Sequence, residues 1–223
     1  NQNADYKTKA LYQYLCESFG NTVILGQHDS VGSAAETNAI YEITGRYPAI
    51  RFGDLMPFTQ DSTVLGESEL EIAKSWAENG GIVSYMWHWT DPMGSGEYYS
   101  DSTDFDLTKA VTDEDIALMS IEEITELHEE GEISDECLAI IEDIDKISQV
   151  LSQLQDADIP VLWRPLHEAS NGYFWWGRDV DAYKWLWQLL YERQTNYHNL
   201  NNLIWVWSAQ NDDWYVGDNY CDL

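Results

Sequence analysis

With 223 residues, 44% of them hydrophobic and including 11 Trp and 14 Tyr, the chain has material for a sizeable core and the length of one α/β domain or of part of a larger one. Eleven Lys and Arg against 40 Asp and Glu leave a formal charge of −29, which argues against nucleic acid or an anionic membrane as partner and leaves a neutral polymer unopposed. No apolar run reaches the roughly 18 residues of a membrane span, the Asn-Gln-Asn-Ala-Asp-Tyr start has no basic-then-apolar signal pattern, and Cys16, Cys137 and Cys221 are too scattered for a disulfide framework or metal site, so buried free thiols are expected.

In chain order, helical periodicity alternates with short apolar runs. Residues 6–19 read as a helix, with Leu11, Tyr14, Leu15 and Phe19 at helical spacing. Val23 to Leu25 reads as a first strand that stops at Gly26 and delivers Gln27, His28 and Asp29 to a loop. A helix over 34–44 ends before Gly45, and a second strand over 48–52 leads to Gly53 and Asp54. Residues 68–78 are helical up to the Gly80-Gly81 pair. A third strand, Ile82 to Trp87, runs directly into His88 and Trp89.

Residues 91–137 break the alternation. Gly94, Gly96, Tyr98 and Tyr99 give way to an acidic helical stretch holding Glu122, Glu123, Glu126, Glu129, Glu130 and Glu132. This reads as a surface excursion with a solvated charged face, and its carboxylates lack the ligand spacing of a calcium loop. Beyond it come an amphipathic helix over 140–154, a fourth strand from Val161 to Leu166, a Trp- and Leu-rich helix over 182–197 and a fifth strand from Leu203 to Trp207. Tyr220 to Leu223 would open a sixth. No repeat or low-complexity linker divides the chain, so residues 1–223 read as a single domain.

Strands separated by helices fit a (β/α) barrel or a doubly wound sheet. The first strand runs into Gly-Gln-His-Asp-Ser-Val-Gly, which fails the G-x-G-x-x-G fingerprint of a dinucleotide-binding sheet. The expectation is therefore α/β, a (β/α)8 TIM barrel. Because eight strands take about 250 residues, only the first five to six are expected in this chain.

The stretch 161–177 says most about chemistry. A β-prone run ends abruptly in His167 and Glu168, followed by a loop carrying Tyr173, Phe174, Trp175 and Trp176. A carboxylic acid at the C-terminal end of a buried parallel strand can protonate a leaving oxygen, and flat rings can stack on pyranose faces. The competing reading makes Glu168 an ordinary strand-end acid and the tryptophans core. His88, between Trp87 and Trp89, stands level with His167. Asp212, Asp213, Trp214 and Tyr215 combine acids with rings, or simply form a turn. His28, His88, His167 and Glu168 show no His-Glu-x-x-His spacing, so no metal or other cofactor is expected, and no Gly-x-Ser-x-Gly elbow marks a serine nucleophile.

These stretches resemble glycoside hydrolase family 26, chiefly endo-β-mannanases, across essentially the whole chain. The matching pieces are Val-Ile-Leu-Gly-Gln-His-Asp at 23–29, Tyr-Pro-Ala-Ile at 47–50, Asn-Gly-Gly-Ile-Val at 79–83 and Trp-His-Trp at 87–89. Asp-Ile-Pro-Val-Leu-Trp-Arg-Pro-Leu-His-Glu at 158–168, Phe-Trp-Trp-Gly at 174–177 and Leu-Ile-Trp-Val-Trp at 203–207 complete them. The resemblance implies a TIM barrel that hydrolyses β-linked polysaccharide with retention of configuration. It makes Glu168 the general acid/base and puts His88 and His167 on the non-reducing side of the cleaved bond. Tyr173, at a position usually Trp, would stack on the other side, and Tyr215 would stand near the nucleophile. That nucleophile is a glutamate at the end of strand seven, expected beyond Leu223. Val216 replaces a usual proline, and Arg-Phe-Gly-Asp-Leu-Met replaces the commoner Gly-Phe-Asp, so no role is assigned to Asp54.

The resulting expectation is an endo-acting retaining glycosidase of β-1,4-mannan, galactomannan or glucomannan, secreted or at the cell surface. Glu168 is its catalytic residue, and His88, Trp89, His167, Tyr173, Trp176, Asp213 and Tyr215 are its substrate-binding residues. The alternatives are the same chemistry on β-xylan or mixed-linkage β-glucan, and a non-catalytic carbohydrate-binding module.

Overall fold

The computed structural model describes residues 1–60 and 62–223. Five parallel strands pair strictly in sequence order: β1 (Gly26–His28), β2 (Ile50–Asp54), β3 (Ile82–Met86), β4 (Val161–Arg164) and β5 (Leu203–Trp205). Helices α2 (Ala35–Thr44), α3 (Thr63–Glu78), α5 (Asp135–Gln155) and α6 (Val180–Glu192) connect them. A doubly wound sheet reverses its strand order; an uninterrupted parallel order belongs to a barrel wall.

Side chains alternate along this wall. Val83, Tyr85, Val161, Trp163, Leu203 and Trp205 point outward into the large core shared with the helices. Ile50, Leu162 and Ile204 point inward and gather Phe52, Ile82 and Val206 into a second cluster. Leu11 and Leu15 of α1 (Tyr6–Ser18) pack on that inner cluster. Asp5 N–H donates to the Asn201 carbonyl (2.9 Å) and Lys7 Nζ to that of Asp158 (3.1 Å), both in loops before strands. Helix α1 therefore lies at the N-terminal end of the sheet, opposite the end where His88 and Glu168 emerge.

Several boundaries differ from the sequence reading. The first strand is Gly26–His28 rather than 23–25, because its ladder begins where Gly26 faces Ile50. A Cβ at Gly26 would stand 2.4 Å from the Phe52 ring, so only glycine allows that approach. Helix α3 begins five residues early and runs through Gly66, where a Cβ would meet the Phe58 ring at 2.7 Å; this glycine serves packing and does not break the helix. Helix α6 continues as a π-turn over Arg193–Tyr197. Tyr220 to Leu223 form no strand, but Leu223 N–H donates to the Trp205 carbonyl (3.1 Å) and Trp207 N–H to that of Leu223 (2.9 Å), the bonds of a parallel ladder along β5.

The excursion also differs. It ends before α5, which starts at Asp135 with its N-cap at Ser134. The acidic stretch forms α4 (Ile121–Glu130), closed by a Ser120/Glu123 capping box, with only Ile124 buried and its glutamates exposed. The rest is not merely superficial: Phe105, Leu107, Ala110 and Ile116 are buried in the main core. Two arginines hold it there. Arg178 donates to the carbonyls of Phe105 (2.6 Å), Thr103 (2.7 Å) and Ser100. Arg193, paired with Asp145 at 2.5 and 2.6 Å, donates to the Met119 carbonyl at 2.9 Å. All three cysteines are unpaired, and only Cys137 is buried; Cys16 stands on the open face of α1. Among the described residues no helix is long and apolar enough to cross a membrane.

Candidate active site

The C-terminal ends of the strands surround a cleft of about 450 Å3 lined by His28, Met86, His88, Arg164, His167 and Glu168, with Tyr99, Tyr173 and Phe174 on its rim. The sheet register explains the meeting: Asp54 pairs with Met86, and Met86 with Arg164. What leaves each strand two to four residues later converges on one space.

Glu168 is partly exposed and has a left-handed backbone, φ 55°, as has Leu166, φ 48°. Non-glycine residues there cost about 1–3 kcal/mol each and occur where the surroundings over-determine them. Here the Glu168 N–H is held by the Ser208 carbonyl (3.0 Å), tying the acid loop to the end of β5. Burial lowers the Arg164 guanidinium from its usual range, and the Glu168 carboxylate opposes that shift, so the two face one another electrostatically.

The histidines form a chain. Asp54 Oδ2 lies 2.5 Å from His88 Nδ1, and His88 Nε2 lies 3.2 Å from His167 Nε2. Burial alone would raise the Asp54 carboxyl, but the hydrogen bonds and charge of His88 outweigh it and hold it below its ordinary value. His167 is pushed down to about 3, first by burial and then by His88 and Arg164, so it is neutral at physiological pH.

The aromatic loop divides into rim and foundation. Tyr173 is 61% exposed and Tyr99 46%. Tyr99 stacks on Phe174 (5.8 Å, 9°), which stacks on Trp176 (4.4 Å, 14°). Ser100 N–H donates to the Tyr173 carbonyl at 2.7 Å and Ser100 Oγ to that of Gly172 at 2.6 Å, so the excursion and the acid loop share one rim.

This arrangement corrects two expectations. Trp89 is fully buried, stacked on Trp87 at 4.0 Å with its Nε1 donating to Asp143, and offers a sugar no surface. Trp176 is also fully buried; its Nε1 donates to the His167 carbonyl at 3.0 Å, so it supports the site from behind. The reason is room: the strand-end tryptophans fill the layer beneath the loops. Asp213 and Tyr215 do not line the cleft. Asp213 is exposed in the turn Asp212–Trp214, and Tyr215 bonds to Asp218, whose carboxylate holds the phenol above its ordinary range. Asp54, Tyr99 and Arg164 reach the site without having been assigned to it. For Asp54 the available signal was its position past an apolar run, as with His88 and Glu168. Among the described residues no group of three or more His, Cys, Asp or Glu could hold a metal.

A sequential parallel wall with an acid, two histidines and aromatic rings at its C-terminal end defines a (β/α)-barrel protein of the type that carries its site on the strand ends. The sequence matches the description "Glycosyl hydrolase family 26" over residues 1–223, and the chain belongs to that family. It is 38% identical over 236 residues to a mannan endo-1,4-beta-mannosidase of Thermothelomyces thermophilus, covering all of this chain and 44% of that protein. Against mannan endo-1,4-beta-mannosidase A of Piromyces sp it is 35% identical, covering 95% and 34%. Among solved structures, a β-(1,4)-mannanase of Podospora anserina superposes with TM-score 0.83 at 36% identity, covering 99% of this chain and 48% of that one. A β-mannanase from a symbiotic protist of the termite Reticulitermes speratus, complexed with gluco-manno-oligosaccharide, gives 0.84 at 30%, covering 98% and 68%. The chain thus spans about half the length or less of the curated relatives named here.

Proposed function

We propose that this chain carries the general acid/base, Glu168, of an endo-acting retaining hydrolase of β-1,4-mannan-type polysaccharide. The observation behind it is Glu168 at the end of β4, in a cleft beside the His88–His167 pair and under a rim of exposed tyrosines. The relatives' activity on mannan supports the substrate class. Glu168 gives its proton to the departing glycosidic oxygen and then takes one from the incoming water. His88 and His167 line the subsite on the non-reducing side of the cut bond, and Tyr173 offers a stacking face. Substrates are neutral mannan, galactomannan or glucomannan. A polymer of that size places the enzyme outside the cell or on its surface.

Retention requires a second carboxylate about 5–5.5 Å from the first. Asp54 is not given that role, because both of its oxygens are engaged by His88 and backbone N–H groups. The family resemblance gives it to a strand-seven glutamate, which has no counterpart in the five strands described, and sets Tyr215 near it.

The test is Glu168→Gln in the protein expressed from its complete gene, assayed for new reducing ends on soluble galactomannan. Loss of acid assistance should lower turnover about 10²–10⁴-fold or more, with oligosaccharide binding retained. Near wild-type turnover would move the acid elsewhere. A wild type that binds mannan without cutting it would be a binding module, and one that cuts only β-xylan or mixed-linkage β-glucan would have a different substrate.

A further inference from the structure

The hydrogen bonds around Asp54 have only one consistent set of directions. Its Oδ1 accepts from two backbone donors, Met56 N–H (2.9 Å) and His88 N–H (3.0 Å), and its Oδ2 faces His88 Nδ1 at 2.5 Å. An ionised carboxylate only accepts, so the hydrogen sits on Nδ1 of His88. One proton must then lie between His88 Nε2 and His167 Nε2, 3.2 Å apart. His167 Nδ1 is buried with no hydrogen-bond partner. Buried donors are left unpaired more rarely than buried acceptors, so the single proton of His167 belongs on Nε2 and points at His88.

We propose that Asp54 is a positioning residue: by holding the proton on His88 Nδ1 it sets the direction of the whole chain, from His167 to His88 to Asp54, and so holds the two imidazole rings that wall the cleft in one orientation. The neutral state of His167, held down by burial with His88, Arg164 and His28 around it, agrees with this direction. The consequence for turnover rests on the glycosidase reading above; the tautomers do not.

Asp54→Asn separates this from a merely structural role. The amide oxygen must stay on the two backbone N–H groups, so the amide N–H turns toward His88 Nδ1 and forces it to accept. His88 then carries its proton on Nε2 and confronts the Nε2–H of His167, whose other nitrogen has nowhere to donate. In the protein expressed from its complete gene, imidazole 15N spectra should show the His88 proton moving from Nδ1 to Nε2. The kcat on galactomannan should fall about 10-fold or more, because an Asp-to-Asn change that leaves a histidine in the wrong tautomer lowers turnover even with the geometry intact. The melting temperature should drop by roughly 2–12 °C, the cost of one unpaired buried donor. Asp54→Ala removes the acceptor without supplying a donor. It should melt lower than Asp54→Asn yet keep more kcat, an order that a structural role reverses. A wild-type His88 without a proton on Nδ1, an Asp54→Asn variant that keeps the wild-type tautomers, or kcat values that follow the melting temperatures would each overturn the inference. A wild type that cuts no β-mannan would instead defeat the functional reading, with the 15N result still deciding the tautomer.

Discussion

Replacing Arg51 by Met tests how the acid-rich chain tolerates charge in its interior. Arg51 projects from the outer face of β2 with side-chain exposure of 1%, between Asp29 and Glu69 at 0% each. Its Nε meets Asp29 at 2.9 Å, its Nη1 and Nη2 meet the two oxygens of Glu69 at 2.7 and 3.1 Å, and Nη2 also donates to the Ser33 carbonyl. Methionine fills similar volume but leaves two buried carboxylates without a cation. Breaking a buried pair in this way costs about 3–5 kcal/mol. At about 2–4 °C per kcal/mol for a domain of this size, the melting temperature should drop by roughly 6–20 °C. A circular-dichroism melt at pH 7 reads the effect. A drop under about 3 °C would show that Gly32 N–H, Thr37 N–H and the Thr37 hydroxyl suffice for these carboxylates.

Three further outcomes are expected. Tyr173→Ala should raise KM on oligosaccharides with little change in melting temperature, whereas Trp176→Ala should destabilise by about 3–5 kcal/mol through its cavity; equal melting temperatures for the two would contradict the division into rim and foundation. His167, whose pKa folded is about 3, binds its proton only when unfolded between pH 6.5 and 3, so stability should fall by up to about 1.4 kcal/mol per pH unit below 6.5. A His167→Gln variant should lose that slope between pH 6.5 and 5, and an unchanged slope would assign it to other groups. Arg178→Ala leaves three carbonyls unpaired, so limited proteolysis should open the chain between residues 91 and 104 sooner than in wild type; cleavage at the wild-type rate would mean that the buried side chains alone hold the excursion.

The elements were legible because each is written in local terms. The apolar runs before His88 and Glu168 mark β3 and β4, and the Gly80-Gly81 pair marks the end of α3. Boundaries slipped where packing overrides a local rule. The helix read over 68–78 extends back through Gly66, which packs on Phe58; Val23 and Leu25 read as a strand, yet they precede it, 82% and 68% exposed.

By itself the sequence determined the α/β alternation, the family and the acid at the end of strand four, since each depends on residues adjacent in the chain. Which rings face the cleft depended on the tertiary structure. Tyr173, Phe174, Trp175 and Trp176 are neighbours of similar chemistry, and only the bond from Trp176 to the His167 carbonyl and that from Trp175 to the Trp89 carbonyl turn the last two inward. Nor could spacing reveal that Asp54, 34 residues before His88, closes on its ring. Parallel pairing brings distant strand ends together at one level, and that juxtaposition exists only once the sheet has formed.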